Sequence, residues 1–120
     1  MQNNFQIETR RDGSAAVIAV TGELDLASSP ALREELERAS EDGIELIILD
    51  LRQLVFMDST GLSVVVRAHQ RAVESRHRFA VVRGGKQVQR LLMLTGVGDR
   101  LTVIDDPEEL LDMGSAGAGR

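Results

Sequence analysis

Hydrophobic and polar positions repeat with two different periods along this chain. Phe5 and Ile7 alternate with polar neighbours, which predicts a half-buried strand. The Asp12-Gly13 pair that follows favours a tight hairpin. Continuous apolar runs then predict strands that are buried on both faces of a sheet. These runs lie at residues 15–20, 46–49, 79–82 and 101–104.

Between these runs, apolar residues recur at helical spacing. Four helices are predicted. The first begins near Ser28 or Ser29, the second spans about residues 60–74, the third spans 86–95, and a short last helix begins at Pro107. The second helix is expected to bury one stripe, which consists of Leu62, Val65, Val66, His69, Ala72 and Val73. Val64 lies off this stripe and is therefore a candidate exposed hydrophobe.

The predicted order of elements is β-β-α-β-α-β-α-β-α, which indicates an α/β fold. We expect a mixed, mostly parallel sheet with an antiparallel first strand and about four helices. A single domain would span residues 1–113, and residues 114–120 (GSAGAGR) would form a flexible tail.

In such sheets, binding sites lie beyond the carboxyl ends of the strands. The loops expected at this edge are 21–26, 50–59 and 83–85. We therefore expect Asp25, Asp58, Ser59 and Lys86 to be neighbours in space.

Composition narrows the possible functions. The 120 residues carry a formal net charge of -5, contain no cysteine, and include only three aromatic side chains, all phenylalanine. Disulfides and thiolate metal sites are excluded, and nucleic acid is a poor default partner for an acidic domain. No apolar run approaches 18 residues and no signal-peptide pattern is found at the start, so we expect a soluble cytoplasmic protein without a membrane segment.

Ser59 stands where the second helix begins, directly after an acidic residue, Asp58. A helix N-terminus carries unpaired N–H groups and partial positive charge, so it accommodates a phosphate as well as a capping side chain. Ser59 is therefore either a phosphorylation site or a plain N-cap worth about 1 kcal/mol.

A hydrolytic role for Ser59 is not supported by the spacing of the histidines. Met57 occupies the position of the first glycine in a Gly-x-Ser-x-Gly elbow. A serine nucleophile also needs a base within hydrogen-bond reach. His69 lies ten positions along the same helix, roughly 15 Å away, and His77 lies further on.

Three other site types fit poorly. The Gly84-Gly85-Lys86 turn lacks the earlier glycine of a phosphate-binding loop, because Ala80 stands there, and Gln87 replaces the Ser or Thr after the lysine. A phospho-aspartate receiver would need a second acid beside Asp25 and a lysine after the last strand. A Mg²⁺ site built from Glu23, Asp25 and Asp58 competes with the simpler view that these are loop and capping acids. We expect no enzyme, no metal and no cofactor.

Three segments carry a resemblance to a known family. They are Gly22-Glu23-Leu24-Asp25, Leu46 to Leu51, and Phe56-Met57-Asp58-Ser59-Thr60-Gly61-Leu62, with a weaker match at Leu94 to Val97. Over about residues 5–112 the chain resembles the STAS-domain family, and within it the bacterial anti-sigma factor antagonists. Thr60 replaces the more usual second serine.

The resemblance implies a switch. It implies that the domain binds an anti-sigma factor of the serine-kinase type and frees a sigma factor, until the kinase phosphorylates Ser59. A metal-dependent serine phosphatase would reset the protein, which we expect to be a monomer. The residues expected to contact the partner are Gly22, Glu23, Asp25, Asp58, Thr60, Gly61 and Leu62. Leu62 and Val64 are expected to add apolar contact.

Related domains of this family serve as subunits bound to a transporter ATPase or as scaffolds in stress-sensing assemblies. A sensor of nucleotides or other small molecules that uses the same edge is a further alternative. Co-purification with an ABC-type ATPase, or direct binding of GTP or ATP, would distinguish these functions from the first.

Overall fold

A computed structural model describes residues 4–111 of the chain. The alternation of strands and helices that the sequence predicted is confirmed. The elements are β1 (Gln6–Asp12), β2 (Ala15–Leu24), α1 (Ser29–Glu41), β3 (Leu46–Met57), α2 (Ser59–Ser75), β4 (Arg78–Val82), α3 (Lys86–Thr95), a 3₁₀ turn (Val97–Arg100) and β5 (Val103–Ile104). Residues 108–111 are helical again. The predicted tail, 114–120, and the domain boundary before it lie outside the described residues.

The five strands lie side by side in the order β1-β2-β3-β4-β5. β1 pairs antiparallel with β2, and the other three pairings are parallel, as expected from the hairpin and the alternating helices. The larger core lies between one face of this sheet and helices α1, α2 and α3. The opposite face packs against Leu110 and Leu111. The carboxyl ends of β2, β3 and β4 consequently point to one edge of the domain.

The two central strands are longer than the apolar runs predicted. β2 continues to Leu24 and β3 to Met57, so the loops expected at 21–26 and 50–59 are mostly strand. The pairing of β2 with β3 shifts register twice, between Ala19 and Thr21 and between Gly22 and Glu23. Such irregularities break the two-residue period by which a strand is recognised. The expectation that residues 21–26 and 50–59 are loops was therefore wrong over most of both ranges.

Helix α2 buries more than one stripe. Val64 is only 5% exposed, whereas Val73, which was expected to face the core, is 66% exposed. The helix packs against both the sheet and α1, so its buried surface is rotated and widened relative to the predicted stripe. The prediction that Val64 is exposed was wrong, and Val64 is not available for contact with a partner.

Within residues 4–111, no helix combines the length and the apolar character needed to cross a membrane.

Candidate functional site

Ser59 is the first residue of α2, and its side chain is exposed. The helix is capped by the preceding residue. Asp58 is extended (φ -104°, ψ -174°), and its Oδ1 accepts a hydrogen bond of 3.0 Å from the amide of Gly61. The view of Ser59 as a plain N-cap was therefore wrong, because the N-cap residue is Asp58. Ser59 is thus an exposed serine at the positive end of a 17-residue helix.

Asp25 orders the turn between β2 and α1. Its Oδ1 accepts hydrogen bonds from the amides of Ala27 and Ser28, both at 3.1 Å. The hydroxyl of Ser28 donates to the carbonyl of Glu23 at 2.7 Å and accepts from the amide of Asp25 at 2.9 Å. The turn is thus held by its own polar groups, and the half-buried Asp25 carboxylate has a fixed position.

The sheet brings the two acidic turns together. Leu24 lies opposite Met57 in the parallel pairing of β2 with β3, and the amide of Asp58 donates to the carbonyl of Leu24 at 3.1 Å. Asp25 and Asp58 each follow one of these paired strand ends. The structure therefore places Asp25, Asp58 and Ser59 at one edge, and Glu23, opposite Phe56, beside them.

Two glycines of the predicted partner-binding set allow close packing at this edge. A Cβ on Gly61 would lie 2.7 Å from Cγ of Leu24 and 2.8 Å from its carbonyl oxygen. Gly22 has φ +97°, and a Cβ there would meet the backbone of Asn4 at 2.8 Å. Both positions require glycine because the neighbouring backbone comes too near for any side chain.

The remaining members of that set differ in exposure. Thr60 is half-buried, and Glu23 is exposed. Leu62 is only 8% exposed and belongs to the core between the sheet and the helices. The expectation that Leu62 adds apolar contact has no support in this position, because its side chain faces inward.

Three exposed apolar side chains border the site, and the sequence analysis missed all of them. We call Leu26, Val55 and Phe56 the apolar rim. They are 75%, 68% and 40% exposed, respectively. Leu26 follows Asp25 in the sequence, and Val55 and Phe56 directly precede Met57 and Asp58. The only signal in the sequence was their position close to Asp25 and Asp58, in segments that were expected to be loops.

Gln87 was also missed as a residue of this edge. It lies in the first turn of α3, and its side-chain amide makes two hydrogen bonds to the backbone of Met57. Oε1 accepts from the Met57 amide and Nε2 donates to the Met57 carbonyl, both at 2.9 Å. The start of α3, which includes the exposed Lys86, is thereby tied to the end of β3. That Lys86 neighbours Asp25, Asp58 and Ser59 stays a prediction.

The charged pair Asp50–Arg52 lies further down β3. The guanidinium binds both carboxylate oxygens of Asp50, with the shortest contact 2.8 Å. This hydrogen bonding raises the pKa of Arg52, against the opposing effect of burial. The pair compensates the charge of Asp50, which is buried within the sheet.

His69 is half-buried on α2, away from the turn that carries Ser59. In residues 4–111, no three His, Cys, Asp or Glu side chains are grouped so that they could share a metal ion.

Comparison with known proteins gives a consistent picture. The family model described as "STAS domain" matches residues 6–110. An anti-sigma-B factor antagonist of Staphylococcus aureus is 30% identical over 105 residues, which cover 88% of this chain and 97% of that protein.

Solved structures share the fold. An anti-sigma factor antagonist from Mycobacterium paratuberculosis superposes with a TM-score of 0.83 at 22% identity, covering 92% of this chain and 93% of that one. The anti-sigma factor antagonist SpoIIAA in its unphosphorylated form gives a TM-score of 0.76 at 24% identity, covering 93% and 96%. SpoIIAA has also been solved in a phosphorylated form, with a TM-score of 0.70 and coverage of 91% and 97%.

Proposed function

This chain belongs to the STAS-domain family, and on that premise we propose that it is an anti-sigma factor antagonist controlled by phosphorylation of Ser59. In its unmodified form it binds an anti-sigma factor of the serine-kinase type, so that a sigma factor is released. The names of its relatives, anti-sigma-B and anti-sigma F factor antagonists, support this role over that of a transporter subunit or a nucleotide sensor.

The observation that carries the proposal is the exposure of Ser59 at the start of α2, where Asp58 already provides the cap. A phosphate added there meets the positive end of the helix and displaces no buried group. We therefore expect the modified domain to stay folded. The effect of the phosphate falls on the surface that meets the partner.

The transfer itself needs no general base, metal ligand or other reacting group from this chain, only a hydroxyl that the kinase can reach. The kinase transfers the γ-phosphoryl group of ATP to Oγ of Ser59, so that an O–P bond forms while the bond from the γ-phosphorus to its bridging oxygen breaks. ADP leaves, and the hydroxyl proton passes to a base of the kinase. A metal-dependent serine phosphatase then hydrolyses the phosphoserine and restores the binding form.

The surroundings of Ser59 explain how one phosphate could end the binding. The apolar rim of Leu26, Val55 and Phe56 offers surface that a partner would bury. Asp25 and Asp58 already place negative charge beside it. A phosphate adds about -1.5 to -2 charges, and a loss of about 3 kcal/mol would weaken binding roughly a hundredfold.

The proposed cellular setting follows from the role. Because sigma factors act on transcription, we propose that the protein works in the cytoplasm. It would act as a monomer and bind its protein partner without touching nucleic acid.

The test uses the purified chain, its partner anti-sigma kinase and ATP. We expect one phosphate, located on Ser59 by mass spectrometry. Ser59→Ala should bind the kinase whether or not ATP is present, and Ser59→Glu should bind roughly a hundredfold more weakly by calorimetry. Both variants should unfold at the wild-type urea concentration, because the cap belongs to Asp58.

A matched control lies at the other end of the same helix. Ser75 is also an exposed serine, and Ser75→Glu should leave kinase binding unchanged. The proposal would be refuted if the phosphate were found on another residue. It would also be refuted if Ser59→Glu and Ser75→Glu weakened kinase binding equally.

A further inference from the structure

Beyond Asp50, the described part of β3 has no neighbouring strand on the side of β4. The pairing of these two strands ends at Asp50 opposite Val82, while β3 itself continues to Met57. On the other side, β2 accompanies β3 to its end. The last residues before Ser59 thus form an edge, whose N–H and C=O groups on that side have no neighbouring strand to pair with.

The side chain of Gln87 takes the place of the missing strand at Met57, two residues before Ser59. In a parallel sheet the N–H and C=O of one residue point to the same side. The amide of Asp58 bonds to Leu24 of β2, so the polar groups of Met57 point away from β2, toward α3. Gln87 pairs with both of them at 2.9 Å, as a backbone would.

A primary amide makes this pair of bonds at any pH, because it does not titrate. It presents one acceptor and one donor in a plane, which matches the C=O and N–H of Met57. The side chain of Met57 is fully buried, so Gln87 fixes the polar half of a residue whose apolar half the core already fixes. Asp58, the cap, and Ser59, the acceptor, follow directly.

We propose that Gln87 is the positioning residue for phosphoryl transfer to Ser59, and this inference rests on the function proposed above. It holds the end of β3, and through Asp58 it sets where the Ser59 hydroxyl stands relative to the donor. A displacement of about 1 Å can cost a transfer reaction a hundredfold in rate. Gln87 therefore acts on the turnover of the kinase complex and not on its formation.

The decisive variant is Gln87→Glu, which nearly preserves the shape of the side chain. When ionised, the new carboxylate can still accept from the Met57 amide but opposes the Met57 carbonyl. When protonated, it regains a donor and restores both bonds. We expect kcat for phosphorylation of Ser59 to fall about tenfold at pH 8, with KM unchanged, and to recover toward wild type as the pH is lowered to about 5.5.

Gln89→Glu is the matched control. The side chain of Gln89 accepts a hydrogen bond through Oε1 from the Gly84 amide, at 3.0 Å. A carboxylate at this position can still accept that bond. Both glutamates lie on the same helix and add the same charge. Lys86 on α3 and Asp58 after β3 are the nearest charged groups in sequence to the pairing of Gln87 with Met57. Gln87→Met, which lacks both bonds and carries no charge, should lower kcat at every pH.

The outcomes separate the two proposals. If wild type accepts no phosphate on Ser59, the proposed function fails. If wild type is phosphorylated and Gln87→Glu follows Gln89→Glu at every pH, the positioning role of Gln87 is wrong. A second measurement needs no kinase and therefore does not depend on the activity of the variant. In NMR spectra of the free protein, the amide resonances of Met57 and Ser59 should shift with pH in Gln87→Glu and stay constant in Gln89→Glu. Constant resonances in both would also overturn the inference.

Discussion

The N-terminus and the C-terminus of helix α2 are capped in different ways. At its start, a side chain closes the helix, a glycine lets the backbone of Leu24 approach, and Ser59 is left exposed. At its end, the backbone alone closes the helix. Arg76 adopts a left-handed conformation (φ 59°), and its amide and that of His77 bond to the carbonyl of Ala72.

The difference between the two ends concerns what each contact specifies. A left-handed turn closes a helix whatever side chains surround it. The start of α2 depends on particular residues at particular places, since only glycine fits at position 61 and only a short acceptor caps from position 58. We infer that the start is built to hold one hydroxyl in place, and the end merely to reverse the chain.

The strongest way to break this comparison is Gly61→Ala. The new methyl group would lie 2.7–2.8 Å from Leu24, including its backbone oxygen, which cannot move as a side chain can. We expect a loss of about 1–3 kcal/mol in the free energy of unfolding, measured with urea. Gly85→Ala is the control, because a Cβ there meets nothing within 4 Å. Equal stability of the two variants would show that the start of α2 is loosely packed.

The next effect concerns binding. Val55→Ser removes part of the apolar rim, and we expect the affinity for the anti-sigma kinase to fall about fivefold, or about 1 kcal/mol. Val73→Ser is matched in exposure, 66% against 68%, but lies near the other end of α2. It should leave the affinity unchanged. Titration calorimetry would measure both, and equal losses would show that the partner does not distinguish the two regions.

The sequence predicted the scaffold of the site better than its surface. Apolar runs and helical spacing report which residues are buried, and they were enough to place Asp25 and Asp58 after adjacent strands. They failed at the end of β3, where register shifts break the period and where Val55 and Phe56 point outward.

Gln87 lay beyond such reasoning for a different reason. Its role depends on β4 ending before β3 does, so that the first turn of α3 lies beside Met57. No local pattern encodes that relation, because it arises only when three elements are assembled. The choice between Asp58 and Ser59 as the cap was equally open, since both residue types cap well and one position separates them.

A smaller effect is expected at the end of α2. Arg76→Gly should raise the free energy of unfolding by about 0.5–1 kcal/mol, because glycine adopts the left-handed conformation without steric cost. Arg76→Ala provides the control, since alanine keeps the Cβ that causes the cost. Urea denaturation would compare them. If glycine is no more stable than alanine, the end of α2 is not under the strain that its φ angle indicates.

The smallest effect is a dependence of stability on pH that arises from His77 at the end of α2. Burial, followed by the nearby charge of Arg71, lowers the pKa of His77 below 6.5 in the folded protein. The unfolded chain therefore takes up a proton first as the pH falls, and stability is lost between about pH 6.5 and the lowered folded value. Above that window both states are neutral and His77 contributes no pH dependence.

His77→Gln isolates this contribution, because the other titrating groups are common to both proteins. The difference in unfolding free energy between wild type and variant should be constant from pH 8 to about pH 7 and should turn against wild type below that. Arg71→Gln should weaken the dependence, since it removes the smaller of the two causes. A difference that stays flat, or that favours wild type at low pH, would mean that His77 is as well solvated in the folded protein as in the unfolded chain, and that the end of α2 is open to water.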